Sequence, residues 1–242
     1  MIKEIIIKKN LIPFEDFIFG FADLHGLVDK KFNGFHYGIS IGKRLDDKII
    51  DDIKNGPTLE YYNYYNRIND ELAELTRNIH SDLLKIGVDS IIIKPTISEG
   101  SEEYNEEYLR TLTVDISHKM VATRAGLGWI GKTDLFISRA FGPRLRLVSM
   151  LLNQKPASYS IPVEKSECGK CNVCVVKCPA NAANGKLWNI NIHRDEFFNA
   201  HKCREKCSEL ARKRFNTDVR ICGICVSLCP LGKKKIISHP ET

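Results

Sequence analysis

The most informative gap in this 242-residue sequence is in its cysteines: none occurs before residue 168, and all nine lie between Cys168 and Cys229. A disulfide framework spreads its bridges over a fold, so this distribution excludes one and indicates a local metal site. The chain also lacks any apolar run near the ~20 residues that a bilayer-spanning helix needs. Its first nine residues hold only three consecutive apolar residues after Glu4, too few for a secretory signal. We therefore expect a cytoplasmic protein with no membrane partner.

Residues 1–155 alternate between strand and helix patterns, which predict an α/β layered domain. A proline-containing segment, residues 156–167, then reads as a linker into a second domain, residues 156–242. The patterns predict helices over residues 46–54, 61–86 and 115–125, and strands at 35–41, 90–94, 134–138 and 144–152, the last two forming a pair. The alternation at 35–41 predicts a half-buried strand, and the acidic segment 98–107 predicts a surface loop.

The second domain opens with Cys168-x2-Cys171-x2-Cys174-x3-Cys178-Pro179, the run that bacterial ferredoxins use for [4Fe–4S] clusters. A cluster needs thiolates at several separate iron atoms, and a tight loop delivers three of them. The fourth cysteine, just before a proline, reaches a neighbouring cluster. A structural zinc site needs only four ligands, usually as two separated pairs, so the spacing favours iron–sulfur chemistry.

A second, incomplete copy follows as Cys222-x2-Cys225-x3-Cys229-Pro230. Aligned with the first run, its leading cysteine is replaced by Val219, so one ligand must come from elsewhere. Cys203 and Cys207 are both candidates, because they lie four residues apart in a helix-like stretch and share a face.

Crossed ligation of two clusters uses eight of the nine cysteines and leaves one free thiol. The first cluster would take Cys168, Cys171, Cys174 and Cys229, and the second Cys222, Cys225, Cys178 and one helical cysteine. We therefore predict an α+β protein: an N-terminal α/β layered domain followed by a ferredoxin-like domain with two [4Fe–4S] clusters.

Positive charge is concentrated in the same region. The first 199 residues are neutral, with 26 charges of each sign, whereas ten Lys and Arg stand against four acids from Ala200 onward. Such a segment can attract nucleic acid or an acidic redox partner. It can equally offset the charge of anionic clusters on a solvated face, and the sequence leaves both interpretations open.

A glycine-rich segment, Gly126-Leu-Gly128-Trp129-Ile-Gly131-Lys132, precedes the linker. It matches G-x-G-x-x-G formally, but it follows a helix pattern, and no acid stands at the distance that a dinucleotide ribose requires. The glycines therefore indicate either a tight turn or close backbone approach to a broad, flat ligand. Lys132 could then meet a phosphate or carboxylate, or could be solvated.

Residues 114–132, with Phe141-Gly142 and the two cysteine runs, resemble the epoxyqueuosine reductases, iron–sulfur enzymes that depend on cobalamin and are related to the reductive dehalogenases. The resemblance is specific from about residue 115 to residue 230. It implies that Asp115 is the catalytic acid near the cobalamin. It also implies that Cys203 rather than Cys207 is the missing ligand, and that Gly126, Gly128, Trp129, Gly131 and Lys132 line the cofactor. Thirteen residues follow Cys229, so we expect a short form without the C-terminal helical domain that longer members use on tRNA.

Two functions follow from these observations. In the first, the chain is an enzyme. Its clusters receive electrons from a ferredoxin or flavodoxin and reduce a cobalamin, which acts on a small molecule or a tRNA. In this function Asp115 donates the proton, and His118 either orients Asp115 or is only a surface histidine. In the second, the chain is a ferredoxin-like carrier that only passes electrons to another protein. Taken alone, Asp115 could also be a helix N-cap.

Overall fold

The structure, a computed structural model, describes Ile2 and residues 4–97 and 99–233. Its strands are β1 (Phe17–Asp23), β2 (Tyr37–Arg44), β3 (Ser90–Ile93), β4 (Gly128–Ile130), β5 (Phe136–Ser138) and β6 (Leu145–Leu152). Its α-helices are α1 (Ile5–Lys8), α2 (Asp47–Asp52), α3 (Leu59–Leu84), α4 (Glu106–Thr111), α5 (His118–Arg124), α6 (Val173–Val176), α7 (Ala200–Phe215) and α8 (Ile224–Leu228). Short 3-10 helices cover Phe14–Asp16, Lys30–Phe32, Ile53–Asn55 and Arg194–Glu196.

Four strands form a sheet in the order β1-β2-β6-β3, and all its neighbouring pairs are antiparallel. The strand predicted at residues 35–41 is β2, but the expectation that it is half-buried is wrong. Ile39 and Ile41 enter the core that α3 covers. On the other face, a Cβ placed on Gly38 would lie 3.0 Å from the Val121 side chain of α5. The small alternate residues of β2 thus leave room for a second helical layer instead of facing water.

The long helix predicted at residues 61–86 is confirmed as α3. Its Thr58 N-cap accepts a hydrogen bond from the backbone of Tyr61 at 3.1 Å. Its buried stripe includes Ile68, Leu72 and Ile79 at helical spacing and packs on the sheet. None of the helices in the described ranges is both long and apolar enough to cross a bilayer.

Other predictions need correction in the segment before the cysteines. The strand predicted at 134–138, β5, pairs with β4 in a separate two-stranded sheet and not with β6. The glycine-rich segment is therefore partly a strand, because Gly128 allows a close backbone approach: a Cβ there would lie 2.0 Å from the carbonyl oxygen of Ile137. The acidic segment predicted as a loop runs into the short helix α4, capped by Asn105.

Hydrophobic packing crosses the predicted boundary between residues 155 and 156. Ala211 of α7 and Val226 of α8 are buried in the same core as Ile50, Ile53 and Tyr61. A second cluster joins the β4–β5 sheet to the cysteine region, its buried members being Trp129, Ile137, Ala182, Trp188, Phe197 and Phe198. The cysteines are thus held against the N-terminal part of the chain, while the boundary itself stays a prediction.

Candidate iron–sulfur cluster site

Cys168 and Cys171 lie on the loop before the short helix α6, Cys174 lies within it, and Cys178 follows it. Cys229 lies directly after α8. Burial raises the pKa of the Cys229 thiol, and the neighbouring Cys174, Cys168 and Cys171 raise it further. Burial also raises the pKa of Cys174, again with Cys168 and Cys171 as neighbours. The fold therefore brings together the four cysteines predicted for the first cluster, although Cys229 is distant in sequence.

The cysteines predicted for the second cluster meet between α7 and α8. Burial raises the pKa of Cys225, and the neighbouring thiols of Cys222 and Cys203 raise it further. Cys178 packs in the same hydrophobic cluster as Cys203. Cys174 is another neighbour of Cys225, so the two sets of thiols adjoin each other.

Both helical cysteines lie close to this second set. The Sγ atoms of Cys203 and Cys207 are 4.0 Å apart, and Cys207 is buried whereas Cys203 is partly exposed. A hydrogen bond from the Cys207 thiol lowers the pKa of Cys222 to about 7. Geometry thus places Cys207 beside two predicted ligands, and the choice of Cys203 as the ligand stays a prediction.

The β4–β5 hairpin of the N-terminal part touches the first cysteine loop directly. The indole Nε1–H of Trp129 donates to Cys168 Sγ at 3.4 Å. Trp129 is only 6% exposed, whereas Cys168 is half-buried, so this hydrogen bond is partly shielded from water. A Cβ placed on Gly131 would lie 3.5 Å from the same sulfur, which shows how closely the hairpin backbone approaches the cysteine.

Lys132 is not solvated, so that sequence interpretation is wrong, whereas its meeting a phosphate or carboxylate stays a prediction. Its side chain crosses to the cysteine loop, where Nζ donates to the Cys171 carbonyl oxygen at 2.9 Å and to Asn172 Oδ1 at 2.6 Å. The residue is 4% exposed. Both acceptors are neutral, and no carboxylate pairs with Lys132 among the described residues. A buried ammonium without a counter-ion is costly, so a nearby anion is expected.

The turn of the hairpin reaches both sets of thiols. Thr133 is buried, and its neighbouring hydroxyl lowers the pKa values of Cys174 and Cys225, opposing the effect of their burial. The next residue, Asp134, pairs with Lys119 of α5, whose Nζ also donates to the Asp134 carbonyl at 3.0 Å. Sequence reasoning missed Thr133, although it directly follows the glycine-rich motif.

The glycines predicted to approach a flat cofactor instead face the chain itself. A Cβ on Gly126 would meet Ser160 at 2.7 Å, and one on Gly131 would meet the Ile137 side chain at 3.1 Å. A Cβ on Gly128 would likewise meet the Ile137 carbonyl oxygen, at 2.0 Å. Protein thus fills the Cβ side of these glycines, and their contact with a corrinoid ring stays a prediction.

Asp115 lies on the loop before α5, exposed and paired with Lys31. The helix begins at His118 with Ser117 as its N-cap residue, so the N-cap interpretation of Asp115 is wrong. His118 does not orient Asp115, and it is not a surface histidine. Its Nε2–H donates to the Lys94 carbonyl oxygen at 2.9 Å, and its Nδ1 lies 3.0 Å from Ser149 Oγ. Burial lowers the pKa of His118 to about 4, so its ring is neutral near pH 7.

These thiols fit [4Fe–4S] clusters. Each cysteine of a cluster binds a different iron atom, so the ligands need not converge on one point. Within the described ranges, no three Cys, His, Asp or Glu side chains converge closely enough to hold a single metal ion. The buried Lys132 ammonium, which has only neutral acceptors, offers the positive charge that an anionic cluster requires.

Residues 167–232 match the family model described as a 4Fe-4S double cluster binding domain. Similar curated sequences are epoxyqueuosine reductases. The one from Cyclobacterium marinum is 28% identical over 207 residues, covering 79% of this chain and 63% of its own length. The one from Lactococcus garvieae is 30% identical over 161 residues, covering 60% of this chain and 41% of its own length. The chain thus spans about two fifths to three fifths of the length of these relatives.

Solved structures agree at the level of the fold. A catabolic reductive dehalogenase in complex with 3-bromo-4-hydroxybenzoic acid matches with a TM-score of 0.63 at 15% identity, over 90% of this chain and 30% of that one. Epoxyqueuosine reductase from Streptococcus thermophilus matches with a TM-score of 0.56 at 19% identity, over 95% of this chain and 66% of that one. The fold and site define an iron–sulfur protein. Within that class, the predicted resemblance is confirmed: the chain is epoxyqueuosine reductase-like.

Proposed function

We propose that the chain is an iron–sulfur oxidoreductase that passes electrons through two [4Fe–4S] clusters to an acceptor held by its N-terminal part. The observation that carries this proposal is the contact of the β4–β5 hairpin with the cysteines. Trp129 and Lys132 of the N-terminal part bond to Cys168 and to the Cys171 carbonyl, and Thr133 neighbours Cys174. A carrier that only docks on another protein does not need this connection.

Each residue has a definite task in this proposal. When bound, the clusters supply one-electron transfer. Their proposed ligands are Cys168, Cys171, Cys174 and Cys229 for the first cluster and Cys222, Cys225, Cys178 and Cys203 for the second. Lys132 would balance part of the negative charge from its buried position, and the hydrophobic cluster around Trp129 would exclude water from the sulfurs.

Asp115 is the proposed proton donor. An epoxyqueuosine reductase from Bacillus subtilis is described with an aspartate on its catalytic loop swung out of the active site. Asp115 likewise lies on a loop with an exposed side chain, and Lys31 holds its carboxylate by an ion pair. Its exposure leaves it accessible to a substrate, and Lys31 is a second charged group that the same substrate would meet.

Cobalamin is the acceptor that the resemblance implies, and one similar reductive dehalogenase is described in terms of B12-dependent dehalogenation. The glycine-rich segment gives this role no independent support, because protein fills the Cβ side of its glycines. Two clefts of about 250 and 550 Å³ lie along α3, and neither is lined by Asp115 or a cysteine. We therefore assign no step to cobalamin.

The substrate class can be tested directly. One epoxyqueuosine reductase was crystallised with a tRNA-Tyr stem loop carrying epoxyqueuosine. We propose the same modified base as the first substrate to try, with ferredoxin or flavodoxin as donor. Part of the basic region from Ala200 onward is already engaged with the N-terminal part: Arg204 donates to the Tyr104 hydroxyl at 3.0 Å, and Arg220 pairs with Glu99. Lys202 and Lys213 remain exposed on α7 and could meet a phosphate backbone.

The test is anaerobic reconstitution followed by iron and sulfide analysis. We expect about eight of each per chain, the content of two [4Fe–4S] clusters. Saturation near four would contradict the two-cluster assignment. Adding cob(II)alamin to the same sample and recording its visible spectrum then separates the functions. Binding supports the reductase, whereas no spectral change well above micromolar cobalamin would favour the carrier.

A further inference from the structure

We propose that Trp129 sets the reduction potential of the cluster bound by Cys168, through the hydrogen bond from its indole N–H to that sulfur. This inference rests on the proposed cluster binding and extends it. It assigns to a residue of the N-terminal part control over how readily the first cluster accepts an electron.

The geometry of the contact is specific. Trp129 Nε1 lies 3.4 Å from Cys168 Sγ, within the range of an N–H···S hydrogen bond. The ring is held in place from several sides, because it belongs to the buried cluster of Ile137, Trp188 and Phe197. On its exposed side, the Arg139 guanidinium lies 5.6 Å from the ring centroid and is itself anchored by Glu167. The donor therefore has little freedom to turn away from the sulfur.

The direction of the effect follows from charge. Reduction adds an electron to a cluster that its thiolates already make anionic, and hydrogen bonds to those sulfurs are among the factors that set the potential. A donor stabilises the more negative, reduced form more than the oxidised form, because hydrogen bonds to charged acceptors are stronger. Since the indole is buried and the contact partly so, water cannot fully replace the lost donor. Removing the indole N–H should therefore lower the potential of this cluster.

The experiment is an anaerobic redox titration of the reconstituted full chain with dithionite as the one-electron reductant, monitored by electron paramagnetic resonance. Trp129→Phe removes the N–H but keeps an aromatic ring in the core. Trp188→Phe is the matched control, since Trp188 lies in the same hydrophobic cluster and is 9% exposed. We expect Trp129→Phe to shift the midpoint potential of one cluster to a more negative value, and Trp188→Phe to leave both potentials unchanged.

A second measurement needs no change at Trp129. The chain contains two tryptophans, so the Trp188→Phe variant, grown with indole-¹⁵N tryptophan, carries the label at Trp129 alone. Pulsed electron paramagnetic resonance of the reduced protein should then detect a hyperfine coupling from this nitrogen. The measurement stays decisive if Trp129→Phe does not fold.

The outcomes separate the inference from the proposed function. A protein that binds clusters but shows equal potentials in wild type and Trp129→Phe, or no ¹⁵N coupling, overturns the inference alone. A chain that binds no cluster under any reconstitution overturns the proposed function, and the inference with it.

Discussion

Arg144 and Asp47 form an ion pair that joins the start of β6 to α2, with Arg144 Nη1 lying 2.9 Å from Asp47 Oδ1. Arg144 is completely buried, and its other Nη donates to Asp51 and to the carbonyl oxygen of Ser227 in α8. The residue thus ties the sheet to the helix that carries Cys225. It also lowers the pKa of Asp51.

We expect Arg144→Met to destabilise the protein by about 3 kcal/mol, at the low end for a broken buried ion pair, because the two carboxylates are partly exposed and can be rehydrated. Anaerobic urea unfolding followed by circular dichroism measures this change. Arg110→Met is the control: its pair with Glu107 is exposed, so its loss should cost less than about 1 kcal/mol. Equal losses of unfolding free energy in the two variants would contradict a structural role for the buried pair.

Cys203 and Cys207 give a second prediction. We expect Cys203→Ser to reduce the iron content from about eight to about four per chain, because it removes one ligand of the second cluster. Cys207→Ser should keep the full iron content, since the buried Cys207 thiol is assigned no iron. Iron analysis after anaerobic reconstitution checks both variants. The reversed pattern would show that α7 presents its second cysteine to the cluster.

Thr133 gives a third prediction, because its buried hydroxyl neighbours thiols of both predicted sets. Thr133→Val keeps the shape of the side chain and removes the donor. We expect the midpoint potentials of both clusters to become more negative, in contrast to the single shift expected for Trp129→Phe. Thr123→Val is the control, since the buried Thr123 hydroxyl donates to the Met120 carbonyl within α5. A shift of one potential only would place Thr133 beside a single cluster.

Sequence patterns were sufficient where local rules decide the outcome. The periodicity of the apolar residues predicted α3, and the cysteine spacing predicted thiols that the fold does bring together. Sequence patterns failed where contacts between residues distant in sequence decide the structure. Nothing local indicates that β5 pairs with the strand containing Gly128, or that protein fills the Cβ side of the glycines.

Lys132 shows the same limit in a single side chain. A lysine after a glycine-rich turn predicts either solvation or an anionic ligand, because both are common for an isolated ammonium. Its true acceptors, the Cys171 carbonyl and Asn172, lie about forty residues further along the chain and meet it only through the fold. Sequence patterns therefore could not predict the contact between the hairpin and the cysteine loop.

His118 gives the last prediction, a pH dependence of stability. Burial lowers its pKa in the folded protein to about 4, below the ordinary value of 6.5, and the neighbouring Arg146 contributes in the same direction. Between these two values the unfolded chain binds the proton and the folded chain does not, so the free energy of unfolding falls as the pH falls. The effect is absent above pH 6.5 and complete below the folded-state pKa.

The measurement is anaerobic urea unfolding of wild type and His118→Gln at two pH values. From about pH 7.5 to about pH 5.5, His118 should cost the wild type about 1 kcal/mol that the variant does not lose. Glutamine can still donate to the Lys94 carbonyl but does not titrate, so the difference between the two proteins isolates the imidazole. Carboxylates such as Asp82, whose pKa the neighbouring Lys85 lowers, titrate at lower pH and are common to both proteins. Parallel stability curves for the two proteins over this range would mean that His118 accepts its proton in the folded state as readily as in the unfolded chain.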